Sequence, residues 1–96
     1  MGTNALAASS TDNALAIGTN SNASGRYSAA LGYNATASAE SSTAIGDHAS
    51  ATGQNGTAIG YKASSSGVYS FAMGSSASSS GCASVAIGQT AMHLEH

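Results

Sequence analysis

The side chains that could do chemistry are few in this chain and stand mostly alone. Asp47 and His48 are neighbours in a sequence rich in serine, the residue types of a Ser-His-Asp hydrolase. A catalytic triad requires three side chains that converge from separate elements, whereas adjacent residues of a strand or turn are expected to point apart. We therefore expect a solvated turn at Asp47 and His48, and we predict no catalytic residue and no enzyme activity.

Metal, cofactor and disulfide chemistry are not predicted either. His48, His93 and His96 lack the spacing of metal ligands, and the glycine- and aspartate-rich signature of calcium-binding rolls is absent. The single cysteine, Cys82, excludes an internal disulfide. We expect it to be a tolerated surface residue, with a reactive thiol as the alternative.

Charge and hydropathy exclude two classes of partner. Two basic and four acidic side chains are scattered singly, so no basic stripe is present to neutralise the phosphates of a nucleic acid. No apolar run approaches the ~20 residues that a membrane-spanning helix needs. We predict no nucleic-acid partner and no membrane contact by this segment.

Tyrosines and hydroxyl side chains are better candidates for binding. Tyr27, Tyr33, Tyr61 and Tyr69 flank expected turns, where a tyrosine either anchors a partner or covers a neighbouring chain of an oligomer. Outward rows of serine and threonine offer repeated hydrogen-bonding groups that suit multivalent contact with a long, repetitive ligand. The candidate contact residues in these rows are Ser50, Ser64 and Ser78.

A repeat of 14 residues determines where all these side chains lie. It runs without insertion through six units, 5–18, 19–32, 33–46, 47–60, 61–74 and 75–88, and we assign residues 3–91 to one domain. In each unit position 12 is alanine, position 13 is a large aliphatic residue and position 14 is glycine, while position 7 is usually glycine. Residues 94–96 are read as the remnant of an expression tag.

The repeat favours strands over helices, because a glycine in every half-repeat would cost a helix about 1 kcal/mol each time. Two short strands joined by glycine turns form one coil, and stacked coils pair in parallel at about 4.8 Å. Alternation then directs the small residues of positions 3, 5, 7, 10, 12 and 14 into a thin interior. The predicted interior includes Ala16, Ala30, Ala44, Ala58, Ala72 and Ala86.

The large residues of positions 11 and 13 must then face outward, where stacking aligns them in one row. This aliphatic ridge comprises Leu15, Ile17, Leu31, Ile45, Ile59, Phe71, Met73, Val85 and Ile87. A single chain would expose the ridge to water, so the spacing predicts that the chain associates with other copies of itself.

The pentapeptides "SVAIG" (84–88), "SAALG" (28–32), "STAIG" (42–46), "GTAIG" (56–60) and "SFAMG" (70–74) carry a resemblance to a known family. Together with the AxSxG halves at 63–67 and 77–81, they resemble the head repeats of trimeric autotransporter adhesins, the YadA-like proteins of Gram-negative bacteria. The resemblance implies an all-β fold, a left-handed parallel β-roll assembled as a homotrimer with the ridge inside.

The same resemblance implies a function at the bacterial cell surface. Family heads attach to extracellular matrix proteins such as collagen, fibronectin or laminin, or to host cells. They stand on a coiled-coil stalk and are anchored in the outer membrane by a C-terminal translocator, neither of which is in this sequence. The alternatives are a spacer that projects another binding domain and, as a minor one, an ice-binding solenoid.

Three departures from the repeat carry structural expectations. Thr11, Asp12 and Asn13 replace the half-repeat glycine in the first unit, which suits an atypical terminal coil. Ala39 replaces that glycine in the third unit, so its turn should avoid positive φ or be strained. Asn55 and Gly56 replace the usual residue-serine pair in the fourth unit, and we expect a local distortion there.

Overall fold

Every regular element is a β-strand in the part of the chain that the computed structural model describes, residues 6–7, 14–89 and 92–93. The expected tag remnant at 94–96 and the departure at 11–13 lie outside these residues. The short strands are β1 (Leu6–Ala7), β3 (Asn22–Ala23), β5 (Thr36–Ala37), β7 (Ser50–Ala51), β9 (Ser64–Ser65), β11 (Ser78–Ser79) and β13 (Met92–His93). The long strands are β2 (Leu15–Ile17), β4 (Ala29–Leu31), β6 (Thr43–Ile45), β8 (Thr57–Ile59), β10 (Phe71–Met73) and β12 (Val85–Ile87).

The strands form two parallel sheets, one from the odd-numbered and one from the even-numbered strands. Each strand pairs with the equivalent strand of the next repeat, so that Ala30 lies beside Ala44 and Ala44 beside Ala58. The register equals the sequence repeat, and this confirms a parallel β-solenoid built from coils of 14 residues.

The interior between the sheets is thin and contains only small side chains. Cα atoms of facing strands such as β2 and β3 lie within 8 Å, closer than the ~10 Å of ordinary stacked sheets. The alanines of position 12 are buried, and so are the alanines and serines of positions 3 and 5. Ala58 at the centre is 0% exposed, whereas Ile59 beside it lies on the outer side of the same strand.

Buried serines bond to the backbone or to each other. At position 10, the hydroxyls of Ser28 and Ser42 donate to the carbonyl oxygens of Gly25 and Ala39, each at 2.6 Å. In the fifth coil the hydroxyls of Ser65 and Ser70 lie 2.5 Å apart across the interior. These bonds remove the cost of placing a hydroxyl in an apolar layer.

Each coil makes two β-turns, a first turn from position 14 to position 3 of the next unit and a second from position 7 to position 10. In the first turn, Ala49 N–H donates to the Gly46 carbonyl at 3.2 Å. The third residue of each described turn has φ between 56° and 63° although none of these residues is glycine, and His48 and Tyr69 are examples. Bonds between coils hold this conformation, as His48 N–H donates to the Tyr33 carbonyl at 2.8 Å.

The glycines of positions 14 and 7 are required for different reasons. Gly60 has a φ of +128°, and a Cβ there would also lie 2.7 Å from the carbonyl oxygen of Gly74 in the next coil. Gly53 at position 7 has no positive φ, but a Cβ would lie 2.2 Å from the Gly67 carbonyl oxygen. Ala39, which replaces this glycine in the third unit, also has no positive φ, so its turn avoids that conformation as expected. Close stacking, rather than φ, is what favours glycine at position 7.

The distortion expected at Asn55 and Gly56 is also absent. Asn55 has a φ of 58°, within the 56° to 59° of the other described residues at position 9, and Gly56 N–H donates to the Gly53 carbonyl oxygen at 2.9 Å. Gly56 instead makes room inside the roll, since a Cβ there would lie 2.6 Å from the Ser65 hydroxyl.

Comparing Gly60→Ala with Gly88→Ala separates the stability cost of close contact between coils from the cost of backbone strain. Gly88 has a similar φ of +121°, but a Cβ there would meet no atom within 4 Å. Gly88→Ala should cost only the strain, about 1–3 kcal/mol, and Gly60→Ala should cost more because a carbonyl oxygen also obstructs it. Urea unfolding followed by circular dichroism measures both; equal losses would show that stacking is not a constraint.

Enlarging the interior should separate the two sheets. Ala58→Leu adds three carbon atoms to a fully buried position with no space for them, and overpacking of this kind costs at least about 1–3 kcal/mol. Ile59→Leu is the control, because Leu31 already occupies the equivalent outward position. If both variants unfold at the urea concentration of the parent, the interior is not tightly packed.

Candidate binding surfaces

The aliphatic ridge lies outside the roll along the full set of long strands. Leu15 and Val85 are 50% and 53% exposed, and Ile87 near one end of the described stack is 62% exposed. Leu31, Ile59 and Phe71 are half-buried, and Ile17, Ile45 and Met73 are exposed. Because the buried alanine of each strand points inward, the residues on either side of it point away from the interior.

The opposite face of the roll carries two hydroxyl rows on and beside the short strands. Position 4 supplies Thr36, Ser50, Ser64 and Ser78, all half-buried, and position 6 supplies Ser24, Ser38, Thr52, Ser66 and Ser80, all exposed. Ser50, Ser64 and Ser78 lie in register on neighbouring strands, so they form one straight line. We call the surface formed by these two rows the hydroxyl face. None of the residues in the two rows has a charged side chain.

The first turns bring together aromatic side chains from three successive coils. The Tyr33 and His48 rings have centroids 5.6 Å apart at 74°, and the His48 and Tyr61 rings have centroids 6.5 Å apart at 77°. Both arrangements are edge-to-face, the geometry that aromatic rings favour. We call Tyr33, His48 and Tyr61 the aromatic column.

Polar neighbours fix the imidazole at the centre of the aromatic column. His48 Nδ1 lies 2.6 Å from Asp47 Oδ1, and His48 Nε2 lies 3.2 Å from Asn34 Nδ2. Since an ionised carboxylate only accepts and an amide nitrogen only donates, Nδ1–H donates to Asp47 and Nε2 accepts from Asn34. The ammonium of Lys62 lies 5.4 Å from the centroid of the Tyr61 ring, within the range of a cation-π contact.

The contact between Asp47 and His48 corrects the expectation that these neighbours point apart. His48 has a φ of 63° in this turn, and its Nδ1 lies 2.6 Å from Asp47 Oδ1. Asp47 and Asn34 thus contact the two ring nitrogens of His48. His48 is therefore not paired with a serine hydroxyl, as the histidine of a catalytic triad would be.

The second turns carry the remaining tyrosines. Tyr27 and Tyr69 are exposed, three coils apart, and Arg26 lies 5.9 Å from the centroid of the Tyr27 ring. Gln54 donates to Glu40 at 3.4 Å on the same edge. Cys82 is a free, exposed thiol. The structure therefore brings Tyr33 and Tyr61 into one cluster with His48 and keeps Tyr27 and Tyr69 separate from it.

The sequence did not lead us to predict that His48 lies in this cluster. Positions 1 and 2 of successive repeats hold Tyr33 and Asn34, then Asp47 and His48, then Tyr61 and Lys62. Comparing these positions between units, rather than along the chain, would have predicted the contacts, because stacking places equivalent positions one strand spacing apart.

Other kinds of site are not formed by the residues that the structure describes. No group of three or more His, Cys, Asp or Glu side chains in that part of the chain could hold a metal ion. The described coils enclose no ligand pocket. None of their elements is a helix long and apolar enough to cross a membrane.

Comparison with known proteins gives one family. The model of the YadA head domain repeat matches residues 1–21, 12–35, 23–49, 51–77 and 65–91. No curated protein sequence matches the chain. The family model matches well over half of the chain, in line with the repeat, the parallel register and the outward ridge. The chain therefore belongs to the YadA head domain family, whose members have adhesin-type functions.

Proposed function

We propose that this chain is the head of a trimeric bacterial surface adhesin that attaches to host extracellular matrix proteins or to host cells. Collagen-like proteins, fibronectin and laminin are the candidate ligands. The observation that carries the proposal is the exposed aliphatic ridge on a roll of the YadA head family. In this proposal the roll is left-handed, and the head is carried on the outer membrane through a C-terminal translocator.

The ridge supports assembly because its side chains are exposed or only half-buried in the single chain. Six large side chains at position 13 stand in register on six paired strands, from Ile17 to Ile87. Burying each contributes about 1.5–3 kcal/mol, whereas the alanines inside the roll bury little area each. Three ridges packed around a common axis would exclude water from all of them and leave the hydroxyl face outward.

The outward surfaces of such a trimer suit adhesion better than catalysis. The family is non-enzymatic, and the roll presents hydroxyl rows and exposed tyrosines in three copies. Weak contacts repeated along a rod and among three chains combine into a strong attachment to a long ligand.

Matrix binding is tested with the purified oligomer on immobilised collagen, fibronectin and laminin. Surface plasmon resonance should give saturable binding to at least one of them at micromolar concentration. Absence of binding to all three and to host cells would contradict the adhesin proposal and favour a spacer that projects another domain.

The ridge is tested by Ile59→Asp, which places a carboxylate in the proposed interface. The charge cannot be buried without a partner, so the oligomer should dissociate to single chains in light scattering. Ser66→Asp is the matched control, because it adds the same charge on the exposed hydroxyl face and should leave the mass unchanged. An oligomer that survives Ile59→Asp would show that the ridge does not face another copy.

A further inference from the structure

The second turn of the fourth coil contains a reactive pair of residues, Asn55 and Gly56, which is the only Asn-Gly dipeptide in the sequence. An asparagine followed by glycine loses ammonia without an enzyme, because glycine has no side chain to obstruct attack by its own backbone nitrogen on the asparagine amide. We infer that this pair is a site of spontaneous deamidation, which the folded coil blocks and which opening of the coil makes reactive. The inference does not rest on the proposed adhesin function.

The reaction consumes one water molecule and involves no oxidation or reduction. The backbone nitrogen of Gly56 gives its proton to a base in the solvent and forms a bond to Asn55 Cγ. The bond between Asn55 Cγ and Nδ2 then breaks, and Nδ2 takes up a proton from the solvent and leaves as ammonia. Water opens the resulting cyclic imide to give either aspartate or isoaspartate, in which the main chain continues through the side-chain carboxyl carbon.

Three backbone hydrogen bonds hold the pair in the folded coil. Gly56 N–H donates to the Gly53 carbonyl oxygen at 2.9 Å, and Asn55 N–H donates to the Glu40 carbonyl oxygen at 2.9 Å. The Gly56 carbonyl oxygen in turn accepts from Thr43 N–H at 2.9 Å. The nitrogen that must lose its proton is therefore bonded, and the bonds on either side of it keep the peptide group from rotating toward Asn55 Cγ.

Packing also keeps the solvent base away from this nitrogen. Gly56 is buried, and a Cβ there would lie 2.6 Å from the Ser65 hydroxyl oxygen, so the interior beside it has no room for a water molecule. Deamidation then requires the coil to open, and its rate follows the fraction of molecules in which the fourth coil is open.

Isoaspartate at position 55 is expected to prevent the coil from closing again. It adds one carbon atom to the main chain just before β8, where Thr57 pairs with Thr43 on one side and with Phe71 on the other. Because stacked coils share one length, the longer chain cannot keep both the turn and the strand in register with their neighbours. The reaction thus makes a transient opening of the roll permanent.

The site is tested by incubating the intact oligomer at neutral pH, with and without urea, and locating the products by peptide mass spectrometry and an isoaspartate assay. Deamidation of Asn55 should be at least about tenfold faster in the urea-unfolded chain, because the folded coil is rarely open. Asn20 and Asn34 are internal controls, since they have φ of 60° and 59° but precede serine and alanine. Both should react more slowly than Asn55 in the unfolded chain.

The effect on the fold is tested by refolding chains that have been aged in urea. The aged parent should recover less oligomer, by light scattering and circular dichroism, than the aged Asn55→Ser variant. This variant cannot form the imide, and its serine copies Ser41 at the same position of the preceding coil. Asn55→Asp carries the charge of the product without the extra main-chain atom, and aspartate tolerates a left-handed φ, so it should assemble like the fresh parent.

Three results would overturn the inference. Equal rates in the folded and unfolded chain would show that the coil does not protect the pair. Faster reaction of Asn20 or Asn34 than of Asn55 in urea would place the reactive site elsewhere. Equal recovery of the aged parent and the aged Asn55→Ser variant would show that the modified coil still closes. None of these measurements involves a matrix protein, so each outcome leaves the adhesin proposal to its own test.

Discussion

The absence of space inside the coil is the constraint on which the rest of this structure depends. Facing strands lie within 8 Å, so only alanine, serine and glycine fit between them. The same closeness continues along the stack, where a Cβ at Gly53 would collide with the carbonyl oxygen of the next coil. Large aliphatic residues are thereby placed outside, and a fold with little apolar burial of its own presents a continuous apolar row.

Backbone hydrogen bonds between coils compensate for the thin interior and extend through the turns as well as the strands. His48 and Asn55 both adopt left-handed backbone conformations that cost a non-glycine residue about 1–2 kcal/mol. Each donates its N–H to the preceding coil at 2.8 or 2.9 Å, which keeps the turn in register with its neighbours. The turns thus stack as regularly as the strands, and their side chains form columns.

The solenoid, its period and the direction of each strand residue could be predicted from the sequence, because small and large residues alternate with a fixed period. The reason for each glycine could not be. Gly53 and Gly60 look alike in sequence, but one is selected by close approach alone and the other also by its φ of +128°. Nor was the contact between Asp47 and His48 predicted, because histidine is only enriched at left-handed φ and its residue type alone does not fix the backbone conformation of a turn.

The same constraint limits where recognition can reside. Inward positions must be small, and we propose that positions 11 and 13 are committed to other copies of the chain. Only the hydroxyl face and the turns then remain free to vary between repeats. The hydroxyl face is nearly uniform, whereas the turns hold all the described tyrosines and the charged residues Arg26, Glu40, Asp47 and Lys62. Under this proposal, specificity for a ligand depends on the side chains of the turns. A single substitution there changes one side chain of a row and leaves the stacked strands unchanged.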